Sequence, residues 1–176
     1  MHYRTQDGHG LKHNPFKAIV APRPIGWISS RDAAGRDNLA PYSFFNGVAD
    51  SPPMIMFSVT GRKIGRGPEV KDSLSNIRET GVFAVNIVSW ELKDAMNLTS
   101  GGYGHEEDEF ALAGLEKADC VEIDCARVAA APATLECRLW KEVSLPKASE
   151  DTDNAVIFGS VVATHIDESL LTDGIF

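Results

Sequence analysis

Short apolar runs separated by turn-forming residues dominate this chain and indicate a protein built mainly from β-strands. The runs at 25–31 and 38–42 flank the turn sequence at 32–37, which predicts a β-hairpin. The runs at 54–59 and 83–88 are apolar at nearly every position, as in strands that are buried on both faces.

Two longer runs extend this pattern. Residues 134–143 alternate between apolar and polar side chains, and four side chains define the apolar face: Leu135, Cys137, Leu139 and Val143. Residues 154–166 form a long candidate strand, and Gly159 near its middle predicts a bend or bulge of the kind that barrels need.

Helical patterns are fewer. Pro68 and Glu69 are typical of a helix opening, and Asp72 is an alternative N-cap, so the start of this helix is open by one turn. Apolar side chains then recur at helical spacing up to Gly81: Val70, Leu74 and Ile77. A second helix is predicted from behind Ser89 to Leu98, with three side chains facing inward: Leu92, Ala95 and Met96.

The order of these elements favours an antiparallel barrel. Strands and helices do not alternate regularly, which argues against a dinucleotide-binding parallel sheet, and the glycine-rich stretch 61–67 only imitates a phosphate-binding loop. We therefore expect one domain over residues 1–176, with 1–14 as a flexible leader, and a mobile glycine-rich loop at 99–107.

Charge and composition narrow the choice of partners. The 176 residues are 43% hydrophobic and carry a net charge of −8, which disfavours binding to a nucleic-acid backbone. Basic residues gather in one place, among three glycines: Arg62, Lys63, Arg66 and Lys71. Such a local cluster fits a small phosphorylated ligand, although a solvated loop explains the composition equally well.

Cysteines and hydropathy point to the cytoplasm. No apolar run approaches the ~20 residues that a membrane helix needs, and the polar N-terminus lacks the features of a signal peptide. Cys120, Cys125 and Cys137 match no zinc spacing, so we expect free structural thiols in a reducing compartment.

Two stretches carry the candidate chemistry. Residues 62–76 run from a basic glycine-rich loop into a helix start, where backbone N–H groups, cations and the donors Ser73 and Asn76 suit a phosphate. Residues 41–46 place Phe44 and Phe45 beside polar side chains, as in a pocket for a planar heterocycle. Core packing is the alternative for these phenylalanines and for Trp27.

No metal-binding or nucleophilic motif stands out in the sequence. Four of the five histidines lie in the polar leader or in a loop, and none has the spacing of a metal ligand. His165, near the end of the last strand, is the exception, although a histidine at such a place is commonly structural.

Taken together, several segments resemble the flavin reductase-like family of FMN-binding split barrels. The similar segments occur in family order over about residues 15–173: 21–30, 38–46, 52–54, 71–77, 83–86, 108–115 and 158–165. The resemblance implies a mainly β fold, an antiparallel split β-barrel with a few peripheral helices. It also implies a homodimer that holds FMN at the subunit interface.

The resemblance further implies a set of site residues. The flavin ring is expected against Ala40, Pro41, Tyr42, Ser43, Phe44 and Asn46, and the ribityl side against Trp27, Ile28, Ser29, Ser30 and Ser58. The phosphate is expected near Arg62, Lys63, Lys71, Asp72, Ser73 and Asn76. His165 is implied near the nicotinamide face, as the candidate catalytic residue.

The implied activity is hydride transfer from NAD(P)H to flavin N5, which needs no side-chain acid or base. Reduced FMN would serve a partner oxygenase or another electron acceptor. The alternatives are a flavin-binding electron carrier and a barrel that has lost flavin; the basic cluster disfavours the latter. Related chains usually continue past residues 171–174 with a tail containing Tyr and Gly, which leaves the substrate-side cover of the pocket open.

Overall fold

The structure is a computed structural model that describes residues 1–61, 70–147, 149 and 152–175. Within these residues the strands are β1 (Gly26–Arg31), β2 (Asp37–Tyr42), β3 (Phe45–Asp50), β4 (Pro53–Gly61), β5 (Val82–Asn86), β6 (Lys117–Asp119), β7 (Ala126–Val128), β8 (Ala133–Ser144) and β9 (Asp153–Ile166). The main sheet is antiparallel, in the order β2-β1-β5-β8-β9-β4-β3, and β6 and β7 form a separate small hairpin.

This strand order requires the main sheet to curl. Strands β2 and β3 stand at opposite edges, yet only Ser43 and Phe44 separate them in the chain. The backbone N–H of Ser58 on β4 donates to the Phe44 carbonyl at 2.8 Å. The ring centroids of Tyr42 on β2 and Phe57 on β4 lie 4.9 Å apart. The predicted antiparallel split β-barrel is therefore confirmed.

Four short helices lie around the barrel in the described part of the chain: α1 (Pro15–Ile19), α2 (Asp72–Thr80), α3 (Lys93–Leu98) and α4 (Glu109–Leu112). Helix α2 ends at Gly81, whose φ of 72° favours glycine. Lys71, and not Asp72, is the residue that precedes its first turn. The predicted opening at Pro68 lies outside the described residues. Helix α3 is confirmed but begins later than predicted.

Two apolar clusters flank strand β1 on its opposite faces. Ile28 belongs to the cluster inside the barrel, which also contains Phe57, Leu74 and Phe83. Trp27 belongs to a second cluster outside the barrel, against which the inward side chains of α3 pack: Leu92, Ala95 and Met96. Because alternate side chains of a strand point to opposite faces, β1 is buried on both sides.

Three strand predictions differ in their outcome. Burial on both faces is confirmed for β5, whose five residues are all buried. It is wrong for β4, in which only alternate residues of the central part are buried, because one face of this strand points into the barrel and the other is only partly covered. In β9, the Phe83 ring packs so close to Gly159 that a Cβ at this position would lie 2.5 Å from Phe83 Cζ. A register irregularity lies opposite, between Leu139 and Lys141 of β8.

Two further expectations concern the cysteines and membrane-spanning helices. Cys120, Cys125 and Cys137 are all free, as predicted, and burial raises the pKa of Cys125 to about 12. In the described ranges, no helix combines the length and the apolar character needed to cross a bilayer.

Candidate functional site

A cavity of about 100 Å³ lies between β2, the start of α2 and the loop that follows α3. Its walls come from these elements together with the first residue of α4: Asn38, Ala40, Pro41, Tyr42, Lys71, Asp72, Ser73, Thr99, Ser100, Gly101, Gly102, Tyr103 and Glu109. Pockets for complete drug-sized ligands usually measure several hundred Å³. The cavity is therefore suited to one end of such a ligand, the remainder of which would extend outward.

One wall of the cavity is a polar network around Ser73. The Asn38 side-chain amide donates to Ser73 Oγ at 2.9 Å, and the hydroxyls of Ser73 and Tyr42 are hydrogen-bonded. Burial raises the pKa of Tyr42 to about 12, so its hydroxyl remains protonated. Lys71 Nζ lies 5.6 Å from the centroid of the Tyr42 ring. The start of α2 thus presents an ammonium group and hydroxyls from neighbouring positions.

Lys71 is partly buried. Burial lowers its pKa, and the nearby charge of Lys17 lowers it further. The helix that follows contributes the positive end of its dipole and the N–H groups that a first turn leaves without intrahelical acceptors. These donors are the groups that a phosphate needs.

The opposite wall is the loop 99–105, which two side chains fasten at its ends. Thr99 Oγ1 accepts a 2.9 Å hydrogen bond from Trp27 Nε1 in the apolar cluster outside the barrel. His105 lies between two carboxylates, with Nδ1 2.9 Å from Asp72 and Nε2 3.2 Å from Asp32. The loop is therefore attached both to β1 and to the start of α2.

Asp32 is one of the two carboxylates that hold His105. Burial tends to raise its pKa, but hydrogen bonds from the backbone and guanidinium of Arg36 outweigh this effect and lower the pKa to about 2. Asp32 therefore stays ionised and attracts the imidazole whenever His105 is protonated.

Glu109 is the second acidic residue of the cavity wall. Its side chain is buried, the residue being only 5% exposed, and its Oε2 accepts the backbone N–H of Leu39 at 3.1 Å. Burial raises the pKa of Glu109 to about 7, and the charges of Asp72 and Asp108 act in the same direction. Near neutral pH this carboxyl group exchanges a proton readily.

Comparison with known proteins identifies the family to which this site belongs. Residues 20–174 match the flavin reductase like domain. The chain belongs to this family. The resemblance inferred from the sequence segments is thereby confirmed.

The chain is also similar to individual proteins and solved structures. The chain is 35% identical over 157 residues to an uncharacterized protein of Aquifex aeolicus, covering 89% of this chain and 76% of that protein. Among solved structures it resembles nitrilotriacetate monooxygenase component B from Bacillus cereus, with 30% identity, a TM-score of 0.81 and coverage of 95% and 86%. It also resembles the 2-nitrobenzoate 2-nitroreductase NbaA of Pseudomonas fluorescens, with 28% identity, a TM-score of 0.79 and coverage of 98% and 80%.

Six of the site residues implied for this flavin reductase like chain line the cavity: Ala40, Pro41, Tyr42, Lys71, Asp72 and Ser73. Arg62 and Lys63 lie outside the described residues. Asn76 is buried one helical turn below the cavity, where its amide donates to Ser30 Oγ at 3.2 Å.

The residues expected on the ribityl side lie inside the protein. Trp27, Ile28, Ser29 and Ser30 are 0% exposed and do not line the cavity. Ser29 Oγ accepts a 3.1 Å hydrogen bond from the Asn86 amide. In this structure these four residues support the cavity from behind, because β1 is buried on both faces.

Four other predicted residues lie in the stretch from the end of β2 through strand β4: Ser43, Phe44, Asn46 and Ser58. Ser43 Oγ accepts a 3.3 Å hydrogen bond from Arg23 Nε, and the Arg23 guanidinium lies 5.7 Å from the centre of the Phe44 ring. Phe44 is joined to Ser58 by the backbone bond described above. Asn46 is exposed on β3, at the edge of the sheet. None of these four lines the described cavity.

His165 lies away from the cavity. Its Nε2 is 2.5 Å from the carboxylate of Glu136, which is 0% exposed and also accepts the backbone N–H groups of Val121 and Glu122. Although burial alone would raise the pKa of Glu136, these bonds lower it. The imidazole thus contacts Glu136 on β8, which in turn binds the segment that precedes β7, and a catalytic role for His165 stays a prediction.

Several wall residues did not enter the predicted set. Asn38 and Glu109 occur within segments that resemble the family, but their roles were not inferred. Residues 99–103 were predicted only as a loop. The signals available were the polar, glycine-rich composition of that loop and the acidic pair at 108–109.

Proposed function

We propose that this protein is an FMN-binding oxidoreductase that accepts a hydride from NAD(P)H. The observation that carries the proposal is the cavity at the start of α2, in a chain of the flavin reductase like family. The donors there include an ammonium group, hydroxyls and a side-chain amide, a combination that suits a phosphate ester and its polyol chain.

Each wall has a role in this proposal. Lys71 neutralises the phosphate charge, and its partial burial strengthens that attraction because less water screens it. Ser73 and Asn38 orient the ligand, while the attached loop 99–105 limits access of water. When bound, FMN supplies the redox chemistry, with N5 as the hydride acceptor. The role of the protein is then binding and orientation.

We also propose a homodimer with the flavin at the subunit interface. Strand β3 forms an edge of the sheet, and all of its residues except the first are exposed. Its apolar Val48 is 48% exposed. Exposed apolar edge strands are commonly covered in an assembly. The similarity to a monooxygenase component supports an oxygenase as the partner that receives reduced flavin, and the free cysteines fit a cytoplasmic location.

The deciding experiment begins with gel filtration of purified protein after incubation with FMN, recording both molar mass and visible absorbance. We expect a dimer that retains flavin bands, followed by oxidation of NADH or NADPH in steady state. Retained flavin without turnover by either nicotinamide would favour the electron-carrier alternative. Protein that retains no flavin and that oxidises neither nicotinamide in the presence of added FMN would refute the proposed function.

The phosphate site has its own test. Lys71→Ala should weaken FMN binding by about 1.5–3 kcal/mol, the range for a charge-assisted hydrogen bond, and should affect riboflavin much less. Lys141→Ala, at an exposed position of β8, is the matched control. Fluorescence titration measures all three proteins; equal losses for both ligands would refute the assignment of Lys71.

A further inference from the structure

The two acids in the cavity wall differ in their side-chain partners. Asp72 has a histidine partner, since His105 Nδ1 lies 2.9 Å away. Glu109 has no cation within ion-pair distance among the described residues; the backbone N–H groups of Leu39 and of Glu109 itself donate to its carboxyl group. A buried carboxylate without a cation would repel an anionic ligand that enters the same cavity.

The described charged groups around Glu109 are mostly acids or are already paired with acids. On its own segment, Asp108 caps α4, and Lys117 is shared between Asp108 at 2.7 Å and Asp37 at 2.8 Å. From the start of α2, Asp72 faces the carboxyl group.

The remaining groups come from β2 and from the loop. Tyr42 on β2 is protonated, and Tyr103 and the His105 that holds Asp72 belong to the loop. Lys71 lines the same cavity, in which the phosphate is proposed. Among the described residues, a negative charge on Glu109 is opposed by the nearby charges of Asp72 and Asp108.

We propose that Glu109 binds the phosphate-bearing end of the ligand as a neutral carboxylic acid, so that FMN binding is coupled to the uptake of a proton. This inference rests on the proposed function and assigns a protonation state to a residue of that site. The neutral acid keeps the bond from Leu39 on Oε2 and gains an O–H donor, which an anionic phosphate oxygen can accept. The ionised form has no donor to offer.

The coupling predicts a specific pH dependence. With a pKa of about 7 in the free protein, the dissociation constant of FMN should rise about tenfold from pH 6 to pH 8, because proton uptake becomes progressively costly above that pKa. The phosphate itself, with a pKa near 6, becomes more negative over the lower part of this range. That change favours binding to Lys71, so it opposes the predicted trend and cannot imitate it.

The experiment measures FMN and riboflavin affinity between pH 6 and pH 8.5, with calorimetry at pH 7.5 in buffers of different ionisation enthalpy. Wild-type protein should take up roughly 0.8 proton with FMN at pH 7.5, because about three quarters of the Glu109 carboxyl groups are ionised there in the free protein. Glu109→Gln, a neutral isostere whose amide oxygen can still accept from Leu39, should show almost no uptake and no rise in dissociation constant. Glu116→Gln, at an exposed position, and His105→Gln should both retain the pH dependence.

The outcomes separate this inference from the proposed function. FMN binding whose pH dependence is the same in wild-type and Glu109→Gln protein refutes the inference alone. A pH dependence that disappears in His105→Gln and persists in Glu109→Gln also refutes it, and assigns the proton to the histidine. If wild-type protein binds no FMN at any pH, the proposed function fails and the inference fails with it.

Discussion

Replacing Glu109 with glutamine should stabilise the ligand-free protein at high pH. The carboxyl pKa rises from 4.5 to about 7 on folding, chiefly because the side chain is buried. The folded state therefore holds the proton more tightly than the unfolded state does. This contribution to stability is fully present below pH 4.5 and is lost as the pH rises to about 7.

The size of the effect follows from the displacement of the pKa. Each pKa unit corresponds to about 1.4 kcal/mol, so the rise from 4.5 to about 7 makes ionising Glu109 in the folded protein cost on the order of 3–4 kcal/mol at pH 8. Relative to wild type, Glu109→Gln should gain about this much in free energy of unfolding between pH 4.5 and pH 8. A gain of 2 kcal/mol corresponds to a rise in Tm of roughly 4–8 °C in a protein of this length.

Urea unfolding of flavin-free protein at pH 4.5, 6 and 8 measures this difference. The protein concentration is held constant because dimer formation would make the apparent stability depend on it. Glu116→Gln, at an exposed position, should follow wild type at every pH. If the difference between Glu109→Gln and wild type were the same at pH 4.5 and pH 8, Glu109 would not titrate as the structure indicates.

Two further substitutions test the barrel and the histidine on β9. Gly159→Ala should lower the free energy of unfolding by about 1–3 kcal/mol, because its Cβ would overlap with Phe83. Gly47→Ala is the control in thermal unfolding, since a Cβ at Gly47 meets no heavy atom within 4 Å. Equal melting temperatures of the two variants would contradict this packing. His165→Ala should lower the free energy of unfolding by about 1–3 kcal/mol, because Glu136 loses a buried partner, and it should leave FMN affinity unchanged. Loss of FMN binding without loss of stability would instead favour a direct role of His165 at the site.

The strands were predictable because their apolar pattern reports which faces are buried. The same reasoning located the end of α2 at Gly81, where a positive φ is needed. It failed for α1 and α4, with five and four residues, since such segments are too short to show a helical period. It also overestimated the burial of β4, because apolar side chains on a partly covered outer face look the same in sequence as core residues.

The cavity was only half predictable, for a different reason. Lys71 and Ser73 belong to one local motif, a helix start with a cation and a hydroxyl, and local motifs can be recognised in sequence. Glu109 reaches the same cavity only because α4 packs against β2 and its carboxyl accepts from Leu39. A contact between residues 70 positions apart leaves no trace in the local pattern of either segment.

The charge balance of the cavity connects these residues to ligand selection. Lys71 contributes a positive charge, Asp72 is hydrogen-bonded to the His105 ring, and the charge of Glu109 depends on a proton. Lys71→Ala and Glu109→Gln should therefore change FMN affinity in opposite directions above pH 7, while riboflavin, which lacks the phosphate, should respond weakly to both. Because both side chains act on the same phosphate, their effects in the double variant should not simply add. Strict additivity would place the two side chains at different parts of the ligand.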